Sequence, residues 1–373
     1  MSEPVAQSAA QPSPVSQRWV VSARFDLLLL ALPLVASLVL LAVPQDDDVP
    51  LWAFLGLIVL FDVSHVWSTL YMSYADGEAF ERRRLLFLLP IPLTFLISFR
   101  LHAHSPELFW TVVAYIAIHH FVSQQWGFVA LYKLRAGERF DRNLDKWTLW
   151  AGALGPLLLW HASPERSFDW FGHGEQFVLR LSPELKPDIA AAMIAVAVVY
   201  GVRQVQLARR GAFNLGKNLW MTASWASWAV GLGLAHHPLV SLACINLLHG
   251  IPFLGLVWFR LNQRWQGEVP TPARFVPWVA QRRNVAVFFG LIVGLALLEE
   301  GLWDGVVWGS YLDATFGVEA PELSATTTSF VVALLSLPQI VHYVLDGWLW
   351  TFDGSNPDLH HALGVPLPTR GPG

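Results

Sequence analysis

The chain has 373 residues, of which 54% are hydrophobic and 14% charged, with a mean hydropathy of +0.44 and a formal net charge of −4. Soluble domains carry about 25% charged residues, so this composition excludes the soluble globular class and indicates a polytopic membrane protein. The basic residues are spread over loops without forming a stripe, which argues against nucleic acid as a partner. The lone cysteine, Cys244, excludes a disulfide framework and a zinc-thiolate site.

Residues 1–17 are rich in Ser, Ala, Gln and Pro and lack the basic start and short apolar core of a signal peptide, so a disordered N-terminal tail is expected there. Ten apolar runs follow, at 26–44, 51–72, 85–101, 108–132, 147–161, 188–205, 218–235, 238–259, 285–303 and 329–350. Each is taken as a membrane span, for which about 20 apolar residues suffice. The fifth is the weakest, being short and interrupted by Gly152, Gly155 and Pro156. The expected fold is therefore all-α, a transmembrane helix bundle over residues 18–350 followed by a cytoplasmic C-terminal tail, 351–373.

The basic residues test this count. With a cytoplasmic N-terminus, 20 of the 24 Lys and Arg fall in inside segments, and only Arg100, Arg166, Arg180 and Lys186 fall outside. That bias follows the positive-inside rule, and one miscounted span would scramble it. Ten spans with both termini cytoplasmic, in a bacterial inner membrane, are the resulting expectation. Nineteen Trp accompany the spans, many near span ends, where an indole suits the headgroup layer.

Four spans carry polar groups at mid-depth. The second holds Asp62 and His65 in FDVSHVW, three residues apart and so on one helix face. The fourth holds His119, His120, Gln124 and Gln125 in IHHFVSQQ; adjacent helical residues diverge by about 100°, so one His–Gln pair at most shares a centre. Asn246 and His249 lie three apart in the eighth span, and His342 and Asp346 four apart in the tenth. These four spans run in the same direction. Counted from each start, His65 lies 14 residues in, His119 and His120 11 and 12, His249 11 and His342 13. At about 1.5 Å per residue, five imidazoles from four helices share a slab a few ångströms thick.

An Asp at mid-membrane costs roughly 2.5–3.5 kcal/mol on insertion scales, so Asp62 and Asp346 require a counterpart. A single intramembrane His is an ordinary helix contact; five at one depth with two Asp indicate a shared polar centre. Imidazole plus carboxylate without thiolate suits a transition metal, above all non-haem iron with open positions for oxygen, as one ion or as a di-iron pair. The expected ligands are His65, His249, His342 and one of His119 and His120. Asp62 and Asp346 bridge, ligate or orient a ring, and Gln124 and Asn246, with Gln125, hydrogen-bond ligands or bound oxygen species. His360 and His361, after the tenth span, are candidate extra ligands. The histidines of the outer loops, His102, His104, His161, His173, His236 and His237, are expected to be solvated, and Glu299 and Glu300 to reach the outer interface.

The segments FDVSHVW, IHHF and VHYVLDGW resemble the scattered intramembrane histidines of histidine-rich membrane oxygenases. That group includes fatty-acid desaturases and hydroxylases and the carotene-cleaving Brp/Blh family. The resemblance covers the four polar spans; the HxxxH and HxxHH boxes of desaturases are absent from this chain. It implies a metal-dependent oxidoreductase that desaturates, hydroxylates or cleaves a membrane lipid or isoprenoid, with a cytosolic electron donor as partner. Two other classes use the same residues: a transporter or proton-coupled channel with a His/Asp relay, and a haem-binding electron carrier with two axial His.

Overall fold

The structure, a computed structural model, describes residues 19–42, 50–164, 177, 180–266, 274–309, 319–352 and 354–365. The expected N-terminal tail, residues 310–318 of the outer loop 304–328, His173 and the end of the C-terminal tail lie outside the described residues. All secondary structure among the described residues is helical. Ten long helices follow in chain order, one over each apolar run: α1 Ala23–Leu41, α2 Leu51–Met72, α3 Arg84–His104, α4 Pro106–Ala136, α5 Arg142–His161, α6 Lys186–Arg209, α7 Leu215–Gly233, α8 Pro238–Arg264, α9 Val285–Trp303 and α10 Ala325–Leu349.

Seven of these regions are long and apolar enough to cross a membrane: α1, α2, α3, α6 (from Pro183), α8, α9 (from Arg282 to Trp308) and α10. The other three, α4, α5 and α7, are long helices of lower hydropathy, and the reason is their position. They pack against one another and carry inward polar side chains, so they need less apolar surface of their own. The glycines that made the fifth run look weak are packing contacts, since a Cβ on Gly152 would collide with the Trp225 indole of α7.

Helix starts follow the local chemistry. Ser22 caps α1, Ser105 caps α4 ahead of Pro106, Asn214 caps α7 and Ser324 caps α10, each side-chain oxygen accepting a backbone N–H from the first turn. Gly137 ends α4 with φ of 69°, a left-handed conformation that costs glycine least.

The arrangement is a core helix inside a wrapped bundle. In α8, 89% of the apolar window is buried, against 6% in α6. Around α8 lie α1, α2, α4 and α7; α10 closes the remaining side against α2, α3 and α4. Outward faces of α1, α3 and α6 expose rows of Leu, Ile and Val, including Leu34, Leu38, Leu93, Leu96, Ile194 and Val198. So large an exposed apolar surface demands a nonpolar surrounding. Several Trp placed at span ends are instead inside: Trp220 is buried and stacked on Phe128 at 4.1 Å, and Trp110, Trp303 and Trp308 pack together.

Three helices beside the core are irregular. Ten of the 22 residues of α2, Phe54–Val63, are π-helical, and the Ser64 hydroxyl donates to Val59 O, five residues back, at 3.0 Å. π-Helical turns are rare and concentrate at functional sites; this one ends two residues before His65. Both α3 and α10 are interrupted next to prolines, α3 between Leu88 and Pro90 and α10 at Ser336, ahead of Leu337 and Pro338.

Candidate metal centre

Four helices each deliver one imidazole to a common point. His65 of α2, His120 of α4, His249 of α8 and His342 of α10 are buried, and one ring nitrogen from each lies within 4.8 Å of all the others. The rings form a closed square, each edge-on to the next: His65 and His249 have centroids 4.4 Å apart, His249 and His120 4.9 Å, His120 and His342 4.9 Å, and His342 and His65 4.8 Å. Phe253 and Phe121 pack on the rings from α8 and α4, and Tyr343 lies tilted against His120 at 4.3 Å. The local sequence explains the convergence. Each His lies on the buried face of its helix, and Gly250 brings α8 so close to α2 that a Cβ there would sit 2.5 Å from Phe61 O.

The nitrogens facing the centre have the geometry of ligands. Nε2 of His65 and Nε2 of His249 stand 2.9 Å apart; two metal–nitrogen bonds of about 2.1 Å at a right angle end roughly 3.0 Å apart. Nε2 of His120 and Nε2 of His342 have no hydrogen-bond partner among the described residues. A buried imidazole nitrogen without a partner is costly, and a metal ion would satisfy both at once. On the far side of its ring, His342 Nδ1 lies 2.7 Å from Thr69 Oγ1, an oxygen able to accept from Nδ1–H in the tautomer whose Nε2 lone pair faces the centre.

Two carboxylates flank the square. Asp346 Oδ2 lies 3.7 Å from His342 Nε2 and 3.9 Å from His120 Nε2, close enough to join the coordination sphere after a small rotation. Gln124 and Trp350 approach that carboxylate, and the buried Arg260 supplies a facing positive charge. Asp62 takes the outer position, with Oδ1 3.6 Å from His65 Nδ1 and Oδ2 accepting from Asn246 Nδ2 at 2.5 Å. Asn246 therefore holds the carboxylate that stands beside His65. Donors of this kind, four neutral imidazoles and a carboxylate, suit a divalent transition metal.

Other residues named from the sequence lie elsewhere. His119 points out of the cluster, is exposed and rests beside Trp150 at a centroid distance of 5.6 Å. Gln125 serves α7, accepting from Ser224 Oγ at 2.5 Å and Trp228 Nε1 at 3.1 Å. His360 is buried against Phe352 and His361 is exposed, neither among the four. Two histidines expected to be solvated are buried and bonded: His102 lies 2.9 Å from Ser329 Oγ, and His161 lies 3.3 Å from Tyr115 OH. Glu299, expected at the interface, is buried and accepts from Trp67 Nε1 at 2.6 Å. The sequence reading passed over Thr69, although it lies four residues after His65 on the same face of α2. Arg260, one residue past the eighth apolar run, lies within α8 and not in a loop, its guanidinium buried over the Trp350 ring at 5.0 Å.

Comparison with protein-family models, with curated proteins and with solved structures gave no match to this chain.

Proposed function

We infer that this protein is an integral-membrane, metal-dependent oxidoreductase acting on a lipid or isoprenoid substrate. One observation carries the reading: four buried imidazole nitrogens from four helices lie within 4.8 Å of one another, two of them with no other partner among the described residues. In this reading His65, His120, His249 and His342 bind one ion, Asp346 is the adjustable ligand, and Asp62 and Asn246 orient His65. Iron is the ion best suited to such a donor set when oxygen is to be activated. Rings stand on all four sides of the centre with neighbouring centroids 4.4–4.9 Å apart, so for any opposed pair the other two imidazoles occupy the plane a porphyrin would need, which favours a bare ion over haem.

The reaction class follows from the surroundings. The centre lies among apolar helices, where a hydrophobic chain is the substrate that can reach it without crossing water. A bound iron would supply oxygen activation; the four imidazoles would hold it, and the apolar helices around them would exclude bulk water, with Asp346 beside the nitrogens of His342 and His120. Hydroxylation places one atom of dioxygen in a C–H bond and reduces the other to water, drawing two electrons and two protons from a cytosolic donor. Ten spans with both termini cytoplasmic, in a bacterial inner membrane, complete the proposal and rest on the distribution of Lys and Arg.

Metal analysis of purified, folded protein never exposed to chelator tests it. About one equivalent of iron is expected; less than about a tenth of an equivalent of any transition metal would overturn the centre, since a preformed His site binds metal as part of its folded state. An intense Soret band would assign haem instead. Comparing the lipids of the host with and without the gene then identifies the substrate.

A further inference from the structure

Between α2, α3 and α10 the packing leaves a cavity of about 190 Å³ whose inner wall includes Thr69 and the His342 ring. Its origin is the irregular backbone of all three walls. The interruption of α10 before Pro338, that of α3 before Pro90 and the short 3₁₀ stretch Thr69–Met72 of α2 keep these helices from packing ridge into groove along their whole length.

The lining is apolar apart from one place. Leu70, Ile91, Val341 and Leu345 supply most of the wall, and the polar atoms of two aromatic neighbours are engaged elsewhere, Trp67 Nε1 on Glu299 and Tyr74 OH on Phe87 O at 2.7 Å. Only the Thr69 hydroxyl and the His342 ring offer polarity, at the inner end. A buried water needs two to four polar partners, and the apolar part of the cavity provides none. The rim residues Leu70, Ile91 and Pro338 are half-buried, and beyond them α3 and α10 expose Leu89, Leu93, Phe330 and Leu334. The opening therefore continues the apolar outer surface, where lipid chains would lie.

We propose that this cavity binds a segment of hydrocarbon chain entering sideways from the bilayer. This rests on the membrane placement of the proposed function and adds the part of the substrate that is held. A cavity of about 150 Å³ accepts a benzene-sized molecule, so the volume fits a short stretch of chain and leaves the headgroup outside. The chain stops against the ring of one candidate ligand, His342.

The test is photolabelling of the full-length protein in phosphatidylcholine vesicles with palmitic acid carrying a mid-chain diazirine, followed by peptide mapping. Label is expected on α2 and α10 at Leu70, Val341 and Leu345, above that on the exposed Val198 of α6, and competed by excess palmitic acid. Filling the mouth in Leu70→Trp should lower labelling at Val341 and Leu345 about tenfold, a loss of ~1.4 kcal/mol, with metal content unchanged. Ile91→Trp closes the same mouth from α3 and serves where Leu70→Trp does not fold. Label on these residues no stronger than at Val198, or unchanged in a folded mouth-filling variant, overturns the proposal. Metal content is read on the same samples: in the native protein, no labelling above Val198 with metal present rejects the cavity alone, and competed labelling without metal rejects the metal centre alone.

Discussion

Replacing Thr69 by Val removes one oxygen and keeps the shape of the side chain, which makes it a direct probe of whether the square is a metal site or only a set of packed rings. In the native chain the hydroxyl lies 2.7 Å from His342 Nδ1, and both groups are buried. A ligand that binds through Nε2 must keep its proton on Nδ1, and in Thr69→Val that buried N–H loses its acceptor. An unpaired buried donor costs about 1–3 kcal/mol. Without metal the ring can escape part of this cost by moving its proton to Nε2, so the loss falls mainly on the metal-bound form. Partners of this kind typically contribute 10–100-fold to metal affinity, which is about 1.4–2.8 kcal/mol and agrees with the cost of the orphaned donor. The assay is a competitive titration of purified protein with iron(II), or with cobalt(II) as an optical stand-in, against a chromophoric chelator. Thr69→Ser, which restores the hydroxyl, should recover most of the affinity. An affinity in Thr69→Val within about twofold of the native protein, less than ~0.5 kcal/mol, would refute the reasoning, as would an equal loss in Thr69→Ser.

The remaining predictions use the same preparation. His249→Ala and His342→Ala should each lose most of the bound metal, whereas His236→Ala and the outward-facing His119→Ala should retain it; equal occupancy in all four rejects the ligand assignment. Gly250→Ala should separate α8 from α2, because its Cβ would meet Phe61 O at 2.5 Å, and should reduce metal content more than Gly290→Ala, whose Cβ meets nothing within 4 Å. Lys217→Met leaves Glu138 and Asp145 with one buried cation fewer, since Lys217 Nζ lies 2.6 Å from Glu138 and 3.1 Å from Asp145, both buried. Breaking such a pair costs about 3–5 kcal/mol, so thermal unfolding in detergent should shift down clearly; an unchanged midpoint would contradict the buried network.

What could be read in advance was the level of the polar groups, and what could not was their direction. Helical rise alone places His65, His120, His249 and His342 at one depth, because depth depends only on counting residues along each span. Rotation about the helix axis is different: His119 and His120 are equally deep, and only the packing of α4 against α8 and α10 turns His120 inward and leaves His119 beside Trp150. Gln125 was misread for the same reason, since its face belongs to α7. Thr69 gave no signal because an unremarkable hydroxyl becomes a ligand's partner only through α10. Hydropathy also had a physical limit: α4 and α7 fall below the apolarity of a membrane-crossing helix because their neighbours, not lipid, meet their polar faces.

The two buried polar clusters solve different electrostatic problems, and the difference bears on function. Lys133 and Lys217 face Glu138 and Asp145 between α4, α5 and α7, so two cations and two anions neutralise each other, and Asn214 Nδ2 donates to the remaining Glu138 oxygen at 3.0 Å. That set is complete without a ligand and ties helices together. The histidine square is incomplete in the same accounting. Its imidazoles are neutral donors, two Nε2 atoms lack hydrogen-bond partners among the described residues, and two carboxylates stand beside rings, with Arg260 as a cation facing Asp346. A divalent ion would supply both missing quantities, partners for the nitrogens and positive charge beside Asp62 and Asp346. A purely structural role would have been met more cheaply by closing the square as the lysine cluster is closed, with side chains alone.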